Sequence, residues 1–270
     1  MSLNILKVMK ISIITVTYNS QNTLQDTINS VLQQQYPNIE YIIIDGQSKD
    51  NTIDIIKQNE HKFNGNLKWI SEPDKGLYYA TNKGIKLAGG DIVGILDSDD
   101  VFFDNTVLST IANSFNDQID AIHANLQFVK QNNLNAIVRT WKGKQYKPSI
   151  VQRGWQPAHP TFFVKKKIYN NYGIFNTEFK IAADFELMIR FIEKNKIKTQ
   201  YINKYTHKMR MGGASTSSLK NIIFSNKEAV KAMRLNEIKI PKLYLIYRLT
   251  PKIINTLQFK LKTIISSCKK

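Results

Sequence analysis

The chain has 270 residues, 42% of them hydrophobic, enough for one large α/β domain or a domain with an appendage, and its composition excludes a disordered or fibrous protein. Its formal net charge of +17 points toward nucleic acid, an anionic membrane surface or a phosphorylated substrate. The single cysteine, Cys268, excludes an intrachain disulfide and a thiolate metal site and fits a reducing compartment.

No repeat at solenoid spacing is present, and no apolar run reaches the roughly 20 residues of a membrane span. Met1 to Lys10 lack the apolar core of a signal peptide, and Met9 precedes the first strong strand. The expected location is cytoplasmic, either free or peripheral at the inner face of the membrane.

Ile11 to Val16 form a β-branched run that predicts a buried parallel strand. Leu24, Ile28, Val31 and Leu32 then recur at helical spacing, with Asn22 and Gln25 placed as a capping box and Pro37 as the stop. Ile39 to Ile44 predict a second buried strand that ends at Asp45-Gly46. A helix around Ile53 and Ile56, a strand at Leu67–Ile70 and a helix at Leu77–Ala88 follow, the last ended by Gly89-Gly90. Ile92 to Leu96 predict another buried strand, running into Asp97-Ser98-Asp99-Asp100, and Val107 to Phe115 a further helix. Strands alternating with helices imply a parallel sheet covered on both faces. Ligands bind such sheets at the carboxyl ends of the strands, where Asp45 and Asp97 both fall.

The second half is more mixed. Ala121–Val129 and Ala136–Trp141 predict antiparallel strands around an Asn132-Asn133 turn, Phe162–Val164 is short and apolar, and Phe185, Met188, Ile189 and Ile192 form a helical stripe. Lys165-Lys166-Lys167 reads as a solvated basic turn. From Lys220 to Lys270 the chain carries a net +10, while Ile246, Leu249, Ile253, Leu257, Leu261 and Ile264 recur at steps of three and four. This basic amphipathic tail either docks on an anionic membrane or packs its apolar stripe on the domain or a partner.

Three carboxylates within four residues repel one another and are tolerated where a cation neutralises them. Mg²⁺ and Mn²⁺ take oxygen ligands, often one or two carboxylates plus substrate phosphates. The alternative is a solvated turn of capping aspartates. The buried strand before the cluster and its place at the sheet edge favour a site.

At this point the chain resembles the family 2 glycosyltransferases of GT-A fold, over roughly residues 10 to 218. The motifs occur in order: Thr17-Tyr18-Asn19; Asp45-Gly46-Gln47-Ser48-Lys49-Asp50; Glu72-Pro73-Asp74-Lys75-Gly76 with Ala80-Thr81-Asn82-Lys83-Gly84-Ile85; Asp97-Ser98-Asp99 as the DxD motif; Ala183-Asp184-Phe185-Glu186 with Arg190; and Gly212-Gly213 with Ser215. The details look closest to bacterial enzymes of O-antigen or capsule synthesis. The resemblance implies a donor site made of Thr17, Tyr18, Asp45, Asp74, Lys83, Asp97 and Ser98. It also implies a Mn²⁺ or Mg²⁺ held by Asp97 and Asp99, and Asp184 as general base. Trp155 and His159 would contact the acceptor, and His207 with Arg210 would reach the diphosphate or lie on the surface. Two departures stand out: Gly46 replaces the second acid of the commoner loop, and Ala183 replaces the first acid of the base motif. No Gln-x-x-Arg-Trp motif of processive synthases is present.

The implied reaction is transfer of a sugar, with inversion, from a nucleotide-diphosphate sugar (a UDP-sugar by family frequency) to a lipid-linked or saccharide acceptor hydroxyl. Asp184 also fits as a helix N-terminal acid favoured by the dipole, with Glu186 as an alternative base. The expected organisation is a nucleotide-sugar half at residues 10–115, an acceptor and base half at 116–218, and the tail at 219–270. The other readings are a non-catalytic relic of the fold and a nucleotidyltransferase, which should show a glycine-rich loop where Thr17-Tyr18-Asn19-Ser20 stands. Nucleic acid is not an expected partner, since no reading motif is present.

Overall fold

The structure, a computed structural model, describes residues 8–212 and 218–250. Its strands are β1 (Ile11–Thr17), β2 (Ile39–Asp45), β3 (Leu67–Ser71), β4 (Ile92–Ile95), β5 (Val101–Phe102), β6 (Ala121–Lys130), β7 (Asn133–Trp141), β8 (Phe163–Lys165) and β9 (Thr199–Arg210). The helices are α1 (Leu24–Leu32), α2 (Thr52–Glu60), α3 (Leu77–Leu87), α4 (Val107–Ser114), α5 (Lys166–Tyr172), α6 (Ala183–Ile189) and α7 (Leu219–Leu235). A π-helical segment, Arg190–Lys194, prolongs α6.

All nine strands join one sheet in the order β3-β2-β1-β4-β8-β6-β9-β5, with β7 added on β6. The first four are parallel, with Thr17 beside Asp45 and Asp45 beside Ser71 at their carboxyl ends. The direction reverses at β8, which is antiparallel to both β4 and β6. The architecture is therefore the expected α/β sheet, parallel in its first half and mixed in its second. Side chains alternate across the sheet, so the unbroken apolar runs serve two cores. Ile14, Ile42 and Ile44 face α3, α6 and α7, and Ile11, Ile13 and Ile43 face α1, α2 and α4.

Several local expectations are corrected. Asn22 does not cap α1: the helix starts after Thr23, without a side-chain cap, and the Gln25 amide bonds Asn29 and Asn59 instead. Gly89 and Gly90 do not form a left-handed helix end, since Ala88 leaves α3 in an extended conformation. Gly90 is required by close packing, because a Cβ there would lie 2.6 Å from Ser12 Oγ. Lys165 and Lys166 are half-buried rather than solvated, and the Lys166 ammonium bonds the Ile85 carbonyl at the end of α3. The short β5 and the long β9 have no counterpart in the sequence reading.

The start of the basic tail belongs to the domain. Ala229, Ala232 and Met233 of α7 and Tyr244 of a helical segment at 244–250 are buried in the same core as α6. Of the predicted stripe, Ile246 and Leu249 are described; Ile253, Leu257, Leu261 and Ile264 lie outside the described residues, as do Gly213 and Ser215.

Candidate active site

The loops after β1 and β2 are tied together by Asp45. Its Oδ2 accepts from the Ser48 N–H at 3.0 Å and from Ser71 Oγ at 2.6 Å, and its Oδ1 accepts from Ser48 Oγ at 2.5 Å. Ser48 Oγ in turn accepts the Asn19 N–H at 2.8 Å. Asp45 is wholly buried, so its carboxylate faces Ser48 and Ser71 instead of the open sheet edge expected for a direct nucleotide contact. It shapes the loop that carries Tyr18, which is 60% exposed. The Tyr18 ring lies along Gly46, where a Cβ would stand 3.4 Å from Cδ2. The glycine that departs from the family's acidic pair thus leaves room for an aromatic platform. Thr17 is buried at the strand end, and its hydroxyl has no partner among the described residues.

Lys83 and Asp74 are brought together. Lys83 Nζ lies 2.7 Å from Asp74 Oδ1 and 2.6 Å from Glu72 Oε1. Burial works against the ammonium charge, but the two carboxylates outweigh it and raise the Lys83 pKa. The lysine is a brace between α3 and the loop after β3.

The acidic loop after β4 sorts its carboxylates into different environments. Asp97 lines a cavity of about 280 Å³. Burial pushes its pKa up to about 6; His159 opposes the shift, while Asp99 and Asp184 add to it. Burial also raises Asp99, with the Arg210 charge opposing. Asp100 is wholly buried and raised well above the usual carboxylate range by burial and by its two neighbouring acids. Its Oδ1 accepts the Arg210 N–H at 3.1 Å. Arg210 is itself a clamp: Nε donates to the Gln131 carbonyl at 2.9 Å, Nη1 to the Asp99 carbonyl and Nη2 to Asp26 Oδ2, each at 2.5 Å. Ser98 Oγ lies 2.9 Å from Ser20 Oγ, linking this loop to the one after β1. Among the described residues no three His, Cys, Asp or Glu side chains converge as a ready cation cage. Asp97 and Asp99, two residues apart on the loop after β4, carry the carboxylate oxygens that a hard cation takes alongside phosphate and water oxygens.

Asp184 lines the same cavity from the first turn of α6. Its placement is built from three sides. The Glu228 carboxylate of α7 accepts the N–H groups of Lys180, Ile181 and Ala182 at 2.7, 2.9 and 2.9 Å. Tyr78 of α3 donates to the Ile181 carbonyl at 2.7 Å, and Asn82 makes paired bonds with the Phe175 backbone. Glu186 is not available as the alternative base. It is 1% exposed, and its oxygens accept from Arg190 and Asn236. The Arg190 guanidinium also binds the carbonyls of Tyr172, Gly173 and Ile174, so the Glu186–Arg190 pair holds the helix in place.

His159 lines the cavity, edge-on to Phe175. Trp155, expected on the acceptor, instead packs against His123 with ring centroids 5.6 Å apart; the tryptophan on the cavity wall is Trp141. His207 is neither a surface charge nor a diphosphate contact. It is wholly buried between Phe102 and Phe163, and burial pushes its pKa down to about 3. The sequence reading missed Tyr78, Arg139, Trp141 and Glu228. Glu228 carried no signal because its partners are backbone groups of a distant segment.

The model of the family described as "Glycosyl transferase family 2" matches residues 12–197, which include Asp45, Asp97, Asp99 and Asp184. One relative is the Escherichia coli UDP-Glc:alpha-D-GlcNAc-diphosphoundecaprenol beta-1,3-glucosyltransferase WfgD, 26% identical over 226 residues, covering 78% of this chain and 80% of that protein. Staphylococcus aureus TarS 1–349 in complex with UDP-GlcNAc superposes with a TM-score of 0.64 at 21% identity, covering 84% of this chain and 65% of that one. The match spans 39% of a longer TarS chain. The mannosyltransferase PcManGT of Pyrobaculum calidifontis, in complex with GDP-Man and Mn²⁺, superposes with a TM-score of 0.64 at 16% identity, covering 97% of this chain and 75% of that one. At these identities the solved structures speak for the fold, while the family match spans most of the chain and runs through both carboxylate sites: the chain belongs to glycosyl transferase family 2.

Proposed function

We propose that the protein transfers a sugar, with inversion, from a nucleoside-diphosphate sugar to an acceptor hydroxyl. The observation that carries this reading is the convergence of Asp97, Asp184 and His159 on one cavity at the carboxyl end of the parallel strands. Tyr18 offers a face for the base, with Thr17, Asp45, Asp74 and Lys83 shaping the donor pocket around it and Ser98 steadying the acidic loop. Asp97 and Asp99 would hold a Mn²⁺ or Mg²⁺, which when bound supplies Lewis-acid neutralisation of the leaving diphosphate.

Asp184 takes the proton of the acceptor hydroxyl as that oxygen bonds to the anomeric carbon. The bond from that carbon to the diphosphate oxygen breaks on the opposite side, and the nucleoside diphosphate carries the electron pair away. Positioned general-base help of this kind is worth roughly 10²–10⁴ in rate. His159 stands beside Asp97 on the same wall and is proposed to orient the acceptor.

The donor is proposed to be a UDP-sugar and the acceptor a saccharide or lipid-linked saccharide in bacterial surface polysaccharide synthesis, O-antigen included. Both follow the chemistry in the names of the E. coli relative and of the TarS complex. A lipid-linked acceptor places the enzyme at the cytoplasmic face of the membrane. The basic surface of α7 and the segment after it is proposed to make that contact; the rest of the 219–270 tail lies outside the described residues.

Calorimetric titration of UDP, GDP and dTDP, with and without Mn²⁺, tests the donor reading. One nucleotide should bind in a Mn²⁺-dependent manner, and Asp99→Ala should abolish that binding. Asp184→Asn should keep the nucleotide affinity and lose transfer by about 10²-fold or more. Binding of none of the three nucleotides by the wild-type protein would overturn the assignment.

A further inference from the structure

The cavity that holds Asp97 and Asp184 has a second wall of different chemistry. Arg139 and Trp141 of β7 stand opposite Phe128 and Leu126 of β6, and Met209 of β9 pairs with Phe128 from the other side. Residues two apart on a strand share a face, so this register lines one patch of the cavity with Leu126, Phe128, Met209, Trp141 and the Arg139 guanidinium. Ala158, next to His159, packs into the same patch.

Arg139 is the anomaly in this apolar surface. Its guanidinium carbon lies 3.4 Å from the centre of the Phe128 ring, so the planar group is stacked on the aromatic face. Stacking uses the face of a guanidinium and leaves its N–H edge unused. Among the described residues no carboxylate and no carbonyl accepts from that edge, the Phe128 ring being the partner of the guanidinium. Burial lowers the Arg139 pKa to about 10, the direction expected for a cation that lacks a counter-charge. Beside it, Trp141 Nε1 is buried and also has no acceptor among the described residues. The other cations on the cavity wall do not match this description. Arg210 is fully engaged by Gln131, Asp99 and Asp26, and Lys180 is exposed.

The buried indole N–H of Trp141 lacks an acceptor among the described residues, a cost that a ligand oxygen would relieve, and the half-buried guanidinium edge of Arg139 on the same strand face is free to bind the same ligand. From this juxtaposition we infer that the acceptor carries an oxyanion, a phosphate or a carboxylate. Arg139 and Trp141 bind that group while the acceptor's less polar part lies on Phe128 and Met209. The inference rests on the proposed glycosyl transfer and deepens it. The anion anchors the acceptor at one wall and its free hydroxyl is presented to Asp184 at the other. The donor diphosphate is a separate anion, held on the Asp97–Asp99 side.

The test is calorimetric binding of phenyl phosphate, benzoate and benzyl alcohol to the full chain saturated with UDP and Mn²⁺. At least one anionic probe should bind tenfold or more tighter than benzyl alcohol, and the tighter of the two names the source of the charge. Arg139→Gln should weaken that probe by about tenfold or more, the range for a hydrogen bond to a charged group, and leave the UDP affinity unchanged. Trp141→Phe keeps the ring, removes the donor and should weaken the probe severalfold. If Arg139→Gln lowers the melting temperature too far for titration, Arg139→Lys keeps the charge without the fork and should give an intermediate loss. The inference is overturned if the anionic probes bind no tighter than benzyl alcohol, if UDP displaces them, or if the Arg139 variants bind them as the wild type does. Failure of UDP itself to bind would overturn the UDP-sugar donor instead, and failure of GDP and dTDP as well would overturn the transferase reading.

Discussion

Asp45, Asp97, Asp100 and Glu40 are all acids in or beside buried strands, yet each side chain meets a different fate. Asp45 is saturated by serine donors, Asp97 looks into the cavity, and Asp100 is sealed under Arg210. Glu40 sits at the amino ends of the strands, away from the site. It accepts from Ser12 Oγ at 2.6 Å, Lys68 Nζ at 2.7 Å and the Gly89 N–H at 2.7 Å. Burial opposes its charge, but these donors and Lys10 overcome that and lower its pKa to about 2. A carboxylate with a depressed folded-state pKa contributes stability above its unfolded value, and the contribution is lost as pH falls from about 4.5 through 2. Glu40→Gln should therefore cost about 2–3 kcal/mol at pH 7, a difference that shrinks toward zero near pH 2 in urea titrations, with nucleotide affinity unchanged. A constant difference across that range would contradict the assignment. The acids were legible in the sequence as types at strand ends. Which were free and which satisfied was not, because their donors come from other strands and loops.

At the scale of elements, the positioning of α6 decides whether Asp184 can act as a base. The three N–H groups before its first turn find their acceptor on α7 rather than in a local cap. Glu228→Gln keeps the volume but removes the charge and turns one acceptor into a donor. It should lower the melting temperature and reduce kcat by tenfold or more, while Kd for UDP stays constant, since the Glu228 carboxylate accepts from the backbone before α6. An unchanged kcat would mean that α7 only packs. The strands and helices of the first half were legible because their apolar runs and helical stripes are local signals. The β9 strand was not: Thr199–Arg210 mixes lysines, asparagine and tyrosines without a strict alternation, and its burial alternates poorly. It is a strand because β6 and β5 accept it as a neighbour.

At the scale of the molecule, the uneven charge acquires a surface. Ile222, Ile223, Val230, Leu235, Leu245 and Leu249 line an apolar groove between α7 and the 244–250 segment, with Lys227, Lys231 and Arg234 along it. Ile223, Leu235 and Ile246 are 58%, 50% and 58% exposed. The membrane contact proposed above would set these apolar side chains and lysines on an anionic bilayer, where each basic residue contributes about 1 kcal/mol. The protein should sediment with vesicles of phosphatidylglycerol and phosphatidylcholine, less so at high salt and little with pure phosphatidylcholine. Lys227→Glu combined with Lys231→Glu should weaken that binding tenfold or more and leave nucleotide affinity intact. Equal binding to both vesicle types would remove charge from the account. Among the described residues no helix is long and apolar enough to cross a membrane.

By itself the sequence determined the α/β class, the parallel first half, the acidic loop after the fourth strand and the basic character of the C-terminal region. These depend on runs, periods and composition, which are properties of neighbouring residues. Only the tertiary structure decided that Asp184, Asp97 and His159 line one cavity, that Trp141 rather than Trp155 lines it, and that Glu228 holds the start of α6 in place. Those relations join segments far apart in the chain, and they arise from the order in which strands enter the sheet and from buried donors finding acceptors there.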